Sequence, residues 1–164
     1  MPWSTLVREN RENILGVKFG HKLSCLEGFG GLLGLVTIPD IARNKEVDIR
    51  IDNSGFVGIY RKRHSSCPYA YTIAKAIYDV GRGLACRVSV SKTPRLSGKE
   101  DIIADALSEG DWEKAWPLMP HKNVDPDFIP VVLRKWIANL VPDMSLGGKI
   151  LSEMSNYTKV LYLE

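Results

Sequence analysis

Long apolar runs are missing from this sequence. No stretch approaches the roughly 18 uninterrupted apolar residues that a membrane span needs. The N-terminal segment, MPWSTLVRENRENIL, lacks the basic-then-apolar order of a secretory signal. We therefore expect a soluble, intracellular protein without a membrane partner, in the cytoplasm or in the nucleus. Internal repeats and low-complexity tracts are also missing from the 164 residues, so one ordinary globular core with at most a small appendage is expected.

Cysteine is scarce and irregularly spaced. The chain has only Cys25, Cys67 and Cys86. Their number is odd, and they form neither a CxxC pair nor a Cys/His metal pattern, so neither a disulfide framework nor a zinc site is indicated. We expect these residues to be buried thiols.

Acidic residues are nearly missing from the middle of the chain. Residues 53–99 carry nine basic side chains and one acidic side chain, Asp79, whereas residues 100–164 carry six basic and eleven acidic ones. The densest basic stretch is Arg61, Lys62 and Arg63. These residues are candidates for binding the phosphates of a polyanion. A solvated charged surface is the alternative, and it stays open here because residues close in sequence need not be close in space.

Apolar periodicity predicts an alternation of strands and helices. Strands are predicted at residues 14–19, 47–52 and 87–92. Helices are predicted at residues 23–38, 69–85 and 98–116. The first helix contains four glycines, each of which costs up to about 1 kcal/mol relative to Ala, so close packing must hold it. We expect strands 47–52 and 87–92 to be parallel neighbours joined through the helix at 69–85.

The C-terminal part of the chain differs in composition, because prolines interrupt it repeatedly after residue 119. Helices are predicted at residues 131–139 and 146–155. Residues 157–163, YTKVLYL, are predicted to form a strand or an extended arm. The whole pattern predicts an α/β protein.

Three acidic residues occupy positions that could meet at one edge of such a sheet: Glu27 in the first helix, Asp52 at a strand end and Asp105 in a later helix. Clustered carboxylates repel one another unless a cation neutralises them, and hard oxygen ligands suit Mg²⁺ or Mn²⁺. Two such ions can activate water and stabilise the leaving oxygen of a phosphodiester. The plainer alternative is that these residues simply face water.

The residues around these carboxylates resemble a known family. Residues 98–108, GKEDIIADALS, resemble the pattern G-x-x-N-x-x-A-D-x-L-S-R that closes the ribonuclease H-like domains of retroelement reverse transcriptases. Asp52-Asn53-Ser54, directly after an alternating strand, adds to the resemblance, which covers about residues 14–116. It implies an α/β fold with a mixed sheet flanked by helices and with the first strands missing. Residues 1–119 would form this partial domain, and residues 120–164 a small helical C-terminal extension of unknown role.

The resemblance also implies roles for individual residues. Glu27, Asp52 and Asp105 match three of the family's four metal-binding, catalytic carboxylates, so Mg²⁺ or Mn²⁺ is the expected cofactor. The nucleic-acid-binding residues expected are Asn53, Ser54, Arg61, Lys62 and Arg63. The expected partners are an RNA–DNA hybrid and an upstream reverse-transcriptase segment in a parent polyprotein.

Several departures from the family pattern bear on activity. The fourth carboxylate, which the family carries on its first strand, has no match here, and Asp101 stands where the family usually has Asn. One hypothesis is therefore an incomplete domain that binds nucleic acid and is weakly active or inactive. The alternative is an active metal-dependent endonuclease that hydrolyses the RNA strand of RNA–DNA hybrids. An unrelated α/β domain with acidic surface residues is the third.

Overall fold

The chain folds as an α/β structure in which helices outnumber strands. A computed structural model describes residues 22–37, 39–93, 98–108, 111–119 and 130–163. The elements, in chain order, are α1 (Lys22–Thr37), α2 (Pro39–Ala42), β1 (Glu46–Ile51), α3 (Ser54–Lys62), α4 (Pro68–Gly83), β2 (Arg87–Lys92), α5 (Lys99–Ser108), α6 (Trp112–Ala115), a 3-10 helix (Trp116–Leu118), α7 (Val131–Asn139) and α8 (Leu146–Leu163). Over these ranges, no helix combines the length and the apolar character that crossing a membrane requires.

The two described strands form a parallel pair. Their register runs from Glu46 opposite Arg87 to Ile51 opposite Lys92, and α3 and α4 lie in the crossover between them. The predicted parallel pairing of strands 47–52 and 87–92 is thus confirmed. Alternate residues of each strand turn towards the helices, whereas the opposite face is exposed and polar. The predicted strand at 14–19 lies outside the described residues.

Helix α3 was not predicted. It is short and amphipathic, with Phe56, Val57 and Ile59 buried. Its two glycines make this pattern hard to detect in the sequence. The helix begins after Asn53, whose side-chain oxygen accepts a hydrogen bond from the Phe56 N–H at 2.9 Å. This N-cap satisfies one of the N–H groups that a helix start leaves without an intrahelical partner.

The glycines of α1 allow close packing on one side. A β-carbon at position 28 would collide with the Phe56 ring, and one at position 31 would lie 3.0 Å from Ile49 Cγ2. At Gly30 and Gly34, by contrast, a β-carbon would meet no other described atom within 4 Å. The predicted helix is therefore confirmed, and it packs against β1 and α3 through the side that carries Gly28 and Gly31.

Helices α7 and α8 share the hydrophobic core of the N-terminal elements. The Trp136 ring of α7 stacks on Phe29 of α1 with a centroid separation of 6.0 Å. Ile150 of α8 is fully buried in the same core. Glu153 of α8 accepts hydrogen bonds from the N–H groups of Val131 and Val132 at 2.6 and 3.0 Å, which caps α7. The predicted helices at 131–139 and 146–155 are confirmed, and the division after residue 119 stays a prediction.

Two predicted elements were wrong in extent or type. The helix predicted at 98–116 is two helices, because α5 ends with an N–H···O bond from Asp111 back to Ala106 at 2.8 Å. The Asp111 carboxylate then accepts from the Lys114 N–H at 3.1 Å and starts α6. Residues 157–163 continue α8 rather than forming a strand, since extending an existing helix is easier than nucleating a new element.

The cysteines are free and buried, as predicted. The sulfur atoms of Cys25 and Cys67 lie 3.9 Å apart. Burial raises the pKa of the Cys25 thiol well above its usual range, and the nearby Cys67 sulfur raises it further. The Cys25 thiol therefore behaves as a small core residue rather than as a nucleophile.

Candidate functional site

An acidic pair lies at the C-terminal end of β1. Asp52 follows the strand directly, and Glu27 reaches it from α1. The backbone N–H of Asp52 donates a hydrogen bond to the Glu27 carboxylate. Burial raises the pKa of Glu27, and the charge of Asp52 raises it further, although the hydrogen bond partly offsets both effects. A carboxylate whose ionisation is opposed by burial and by a neighbouring carboxylate is a place where a cation is favoured.

Asn53 fixes this strand end to α1. Its side-chain oxygen accepts one hydrogen bond from the Phe56 N–H and another, at 2.9 Å, from the hydroxyl of Ser24. Ser24 is buried, and both bonds are partly buried. Asn53, which was predicted to bind nucleic acid, therefore has a clear structural role in capping α3 beside the acidic pair. Ser54, predicted with it, is exposed at the start of α3.

Asp105 lies on α5, where its side chain is exposed. That helix packs chiefly against α6 and the 3-10 helix. Across the described ranges, no group of three or more His, Cys, Asp or Glu side chains is arranged to hold a metal ion. Glu27 and Asp52 alone fit a divalent ion only partly. Mg²⁺ can bind through one or two carboxylates when water and a substrate phosphate complete its shell.

A second polar site is a cleft beside β2, which we call the basic cleft. It has a volume of about 1090 Å³, and its walls come from the end of α3, one side of α4 and strand β2. Its cationic side chains are Arg61, Arg63, Lys75, Arg82 and Arg87. Two of the three residues predicted to bind phosphate, Arg61 and Arg63, line the cleft; the third, Lys62, is exposed outside it. The basic middle of the sequence is therefore also a cluster in space.

The cations of the cleft are only partly neutralised. Lys75 forms an ion pair with Asp79 at 2.6 Å, and Arg87 forms an exposed one with Glu46 at 3.2 Å. Exposed pairs of this kind contribute little, about 0–1 kcal/mol. Within the described residues, Arg61, Arg63 and Arg82 have no carboxylate at ion-pair distance. The cleft thus has cationic groups available for an anionic ligand.

The second carboxylate of the cleft, Asp48, is already occupied. The Ser91 hydroxyl donates to both of its oxygens, at 2.9 and 3.0 Å, and Ser89 and Arg50 donate at 3.1 and 3.3 Å. Desolvation is the largest single influence on Asp48 and opposes ionisation. The hydrogen bonds from Ser91, Arg50 and Ser89, with the charge of Arg50, together outweigh it and lower the pKa of Asp48.

Aromatic side chains accompany the cations. Tyr60, Tyr71 and Tyr78 line the cleft, and the Arg63 guanidinium lies over the Tyr78 ring, 4.9 Å from its centroid. The Tyr60 hydroxyl donates to the Val88 carbonyl at 3.2 Å. Burial raises the pKa of Tyr60, against the opposing charge of Arg63, so the phenol stays a donor.

Sequence reasoning missed most of the cleft, although a signal was available. Tyr71, Lys75, Tyr78 and Arg82 follow one another at intervals of four, three and four residues. Such intervals place side chains on one face of a helix. The apolar periodicity of this helix identifies its buried side only, so its aromatic and basic side was not predicted.

Comparison with known proteins adds no relative. No protein-family model, no curated protein and no solved structure matches the chain.

Proposed function

We propose that this chain is a nucleic-acid-binding domain of the ribonuclease H-like kind found in retroelement reverse transcriptases, weakly active or inactive in cleavage. The resemblance of residues 98–108 suggests the family. The basic cleft supports nucleic acid as the partner. The alternative is an active metal-dependent endonuclease that hydrolyses the RNA strand of RNA–DNA hybrids.

The proposal of nucleic-acid binding rests on the composition of the cleft. Five cationic side chains surround it, and its two carboxylates, Asp48 and Asp79, are already held by hydrogen bonds or an ion pair. Nucleic acid releases condensed counterions when cations of a protein neutralise its phosphates, which favours binding whatever its sequence. The hydroxyls of Ser89 and Ser91 donate to Asp48, so they hold this carboxylate in place at the cleft and leave the cationic side chains as the groups that would meet phosphate.

The observation that favours the alternative is the contact between Glu27 and Asp52. Burial and the charge of Asp52 oppose the ionisation of Glu27, and a divalent ion would favour it. If Mg²⁺ or Mn²⁺ binds, Glu27 and Asp52 would hold it, and the ion would supply Lewis-acid chemistry at a phosphodiester. A pair without further protein ligands should bind such an ion weakly, which is why weak or no cleavage is the preferred proposal.

The test separates binding from cleavage. Fluorescence anisotropy of an end-labelled RNA–DNA hybrid should show binding that weakens steeply between about 50 and 200 mM salt. The same hybrid, incubated with Mg²⁺ or Mn²⁺ and resolved on a denaturing gel, should show little or no cleavage. An Asp52→Asn variant keeps the side-chain size and removes a ligand charge, so it identifies any cleavage that comes from this site.

The outcomes are distinct. Salt-dependent binding with little or no cleavage supports the proposal. Robust cleavage that Asp52→Asn abolishes supports the endonuclease instead. Binding that is missing at low salt would overturn the proposed partner in both cases.

A further inference from the structure

The basic cleft carries an aromatic and cationic stack that phosphate binding alone does not require. From the Arg63–Tyr78 stack we infer that the cleft is a site for an unpaired base, so that it binds single-stranded nucleic acid more tightly than a duplex. This inference rests on the proposed function, because it assumes that the ligand of the cleft is a nucleic acid.

The position of Arg63 is fixed by the backbone. Arg63 ends α3 in the left-handed conformation, with φ 54°. Residues other than glycine adopt this conformation uncommonly, so the surrounding structure must hold it. In this arrangement the guanidinium lies over the Tyr78 ring of the neighbouring helix α4. The guanidinium and the ring are thus already in contact in the structure without a ligand.

The stack is accessible. Tyr78 is 38% exposed, although it is a large aromatic side chain at the edge of the core. Arg63 is also exposed. Unstacked bases bind on aromatic rings and on guanidinium planes, and every base has a face that can do so. An exposed planar stack beside cations is thus suited to a nucleotide whose base is free and whose phosphates lie close by.

The neighbouring groups fit the rest of a nucleotide. Arg82 of α4 and Arg61 of α3 line the same cleft, and neither has an ion-pair partner within the part of the chain that is described. The cleft is also concave, and its volume of about 1090 Å³ lies just above the roughly 300–1,000 Å³ typical of sites that enclose a small ligand. A cleft of this size accepts a nucleotide unit better than the side of an intact double helix.

The physical reason for the preference is the cost of exposing a base. In a duplex both faces of each base are covered by its neighbours, so stacking on Tyr78 or Arg63 would first require a nucleotide to leave the helix. That step costs a few kcal/mol for a paired base and little for a base that is already unpaired. The cations contribute to binding either form, whereas the stack contributes only to the single strand.

The experiment compares one oligonucleotide alone and annealed as an RNA–DNA hybrid, at equal salt, by fluorescence anisotropy. Tyr78→Leu should weaken single-strand binding about fivefold to a hundredfold, as expected for loss of one base–aromatic stack, and should change hybrid binding much less. Arg63→Lys keeps the charge but removes the plane, so it should act in the same direction. Tyr78→Phe keeps the ring and should retain single-strand affinity. Circular dichroism and thermal unfolding check that each variant is folded.

An Arg82→Gln variant separates this inference from the proposed function. It should weaken single-strand and hybrid binding alike, because it removes a charge rather than a stack. If Tyr78→Leu changes both ligands equally or neither, the base site is overturned, while salt-sensitive binding that Arg82→Gln weakens would leave the proposed function standing. A polyglutamate peptide that competes as well as an oligonucleotide of equal charge would also overturn the base site. No salt-sensitive binding to any nucleic acid would overturn both.

Discussion

The acidic pair and the basic cleft differ in how they shift the pKa of a carboxylate: the pKa of Glu27 is raised, and that of Asp48 is lowered. At the acidic pair, burial and the charge of Asp52 raise the pKa of Glu27. At the cleft, desolvation of Asp48 is outweighed by donors from Ser91, Arg50 and Ser89, and its pKa is lowered. The first site therefore lacks positive charge, and the second has it available. The proposed function assigns an anion to the cleft, and its alternative assigns a cation to the acidic pair.

The two sites also differ in how they are built. Close packing of α1 on α3 and β1 holds the acidic pair, because Gly28 and Gly31 leave room for Phe56 and Ile49. The cleft depends instead on the polar side of α4 and on the end of α3. Changes to the packing of α1 should thus damage the first site most, and changes of surface charge should damage the second.

The largest effect on stability is expected from Gly28→Ala. Its β-carbon would collide with the buried Phe56 ring, and overpacking of this kind costs about 1–3 kcal/mol. The matched control is Gly30→Ala, where a β-carbon meets open space among the described residues and where the change should stabilise the helix by up to about 1 kcal/mol. Urea unfolding of both variants measures the difference. Equal effects of the two changes would mean that α1 does not pack through Gly28.

A smaller effect is expected from Glu27→Gln, and it depends on pH. Because the pKa of Glu27 is raised in the fold, its protonated form is favoured there, and the wild type should lose stability as pH rises from the usual value of 4.5 through the raised pKa. The amide of the variant cannot ionise, so its stability should not show this loss. Chemical denaturation across this pH range tests the difference. A variant that is less stable than the wild type at neutral pH would contradict it.

The smallest effect is expected from Ser91→Ala at the cleft. Loss of the Ser91 donor should raise the pKa of Asp48 towards its usual value of 3.8, because the hydroxyl closest to the carboxylate, at 2.9 and 3.0 Å from its two oxygens, disappears. Ser89→Ala removes a longer contact, at 3.1 Å to one oxygen, and should raise the pKa less. Carboxyl NMR titration measures both, and overall stability should change by no more than about 0.5 kcal/mol, as for most surface changes. A larger shift in Ser89→Ala would show that the assigned order of donors is wrong.

The fold was predictable where the apolar pattern was long and regular. Strand β2 and helix α7 begin and end at the predicted residues, and the parallel pairing follows from the handedness of strand–helix–strand units. Helix α3 was not found because it is short, contains two glycines and depends on a cap from Asn53. Residues 157–163 alternate like a strand, yet they continue α8, because the preceding turns of helix outweigh the local pattern.

The sites were predictable in part. Strand-end geometry predicted that Glu27, Asp52 and Asp105 would meet, and the structure brings Glu27 to Asp52. A role for Asp105 beside them stays a prediction, since sequence spacing cannot fix how α5 packs. The excess of basic over acidic side chains in residues 53–99 indicated a basic surface. It did not reveal that Arg63 would lie over Tyr78, because that contact depends on the backbone conformation that ends α3.

The salt dependence of hybrid binding tests the central claim most directly, namely that the cleft is the nucleic-acid interface. Log affinity should fall linearly with log salt concentration, and replacing both Arg61 and Arg82 by glutamine should reduce the slope by about 0.9 for each phosphate that the protein no longer neutralises. Lys62→Gln is the matched control, because Lys62 follows Arg61 on α3 but does not line the cleft. We predict a shallower slope for the double variant and an unchanged slope for Lys62→Gln. Parallel slopes for the wild type and the double variant would contradict the claim.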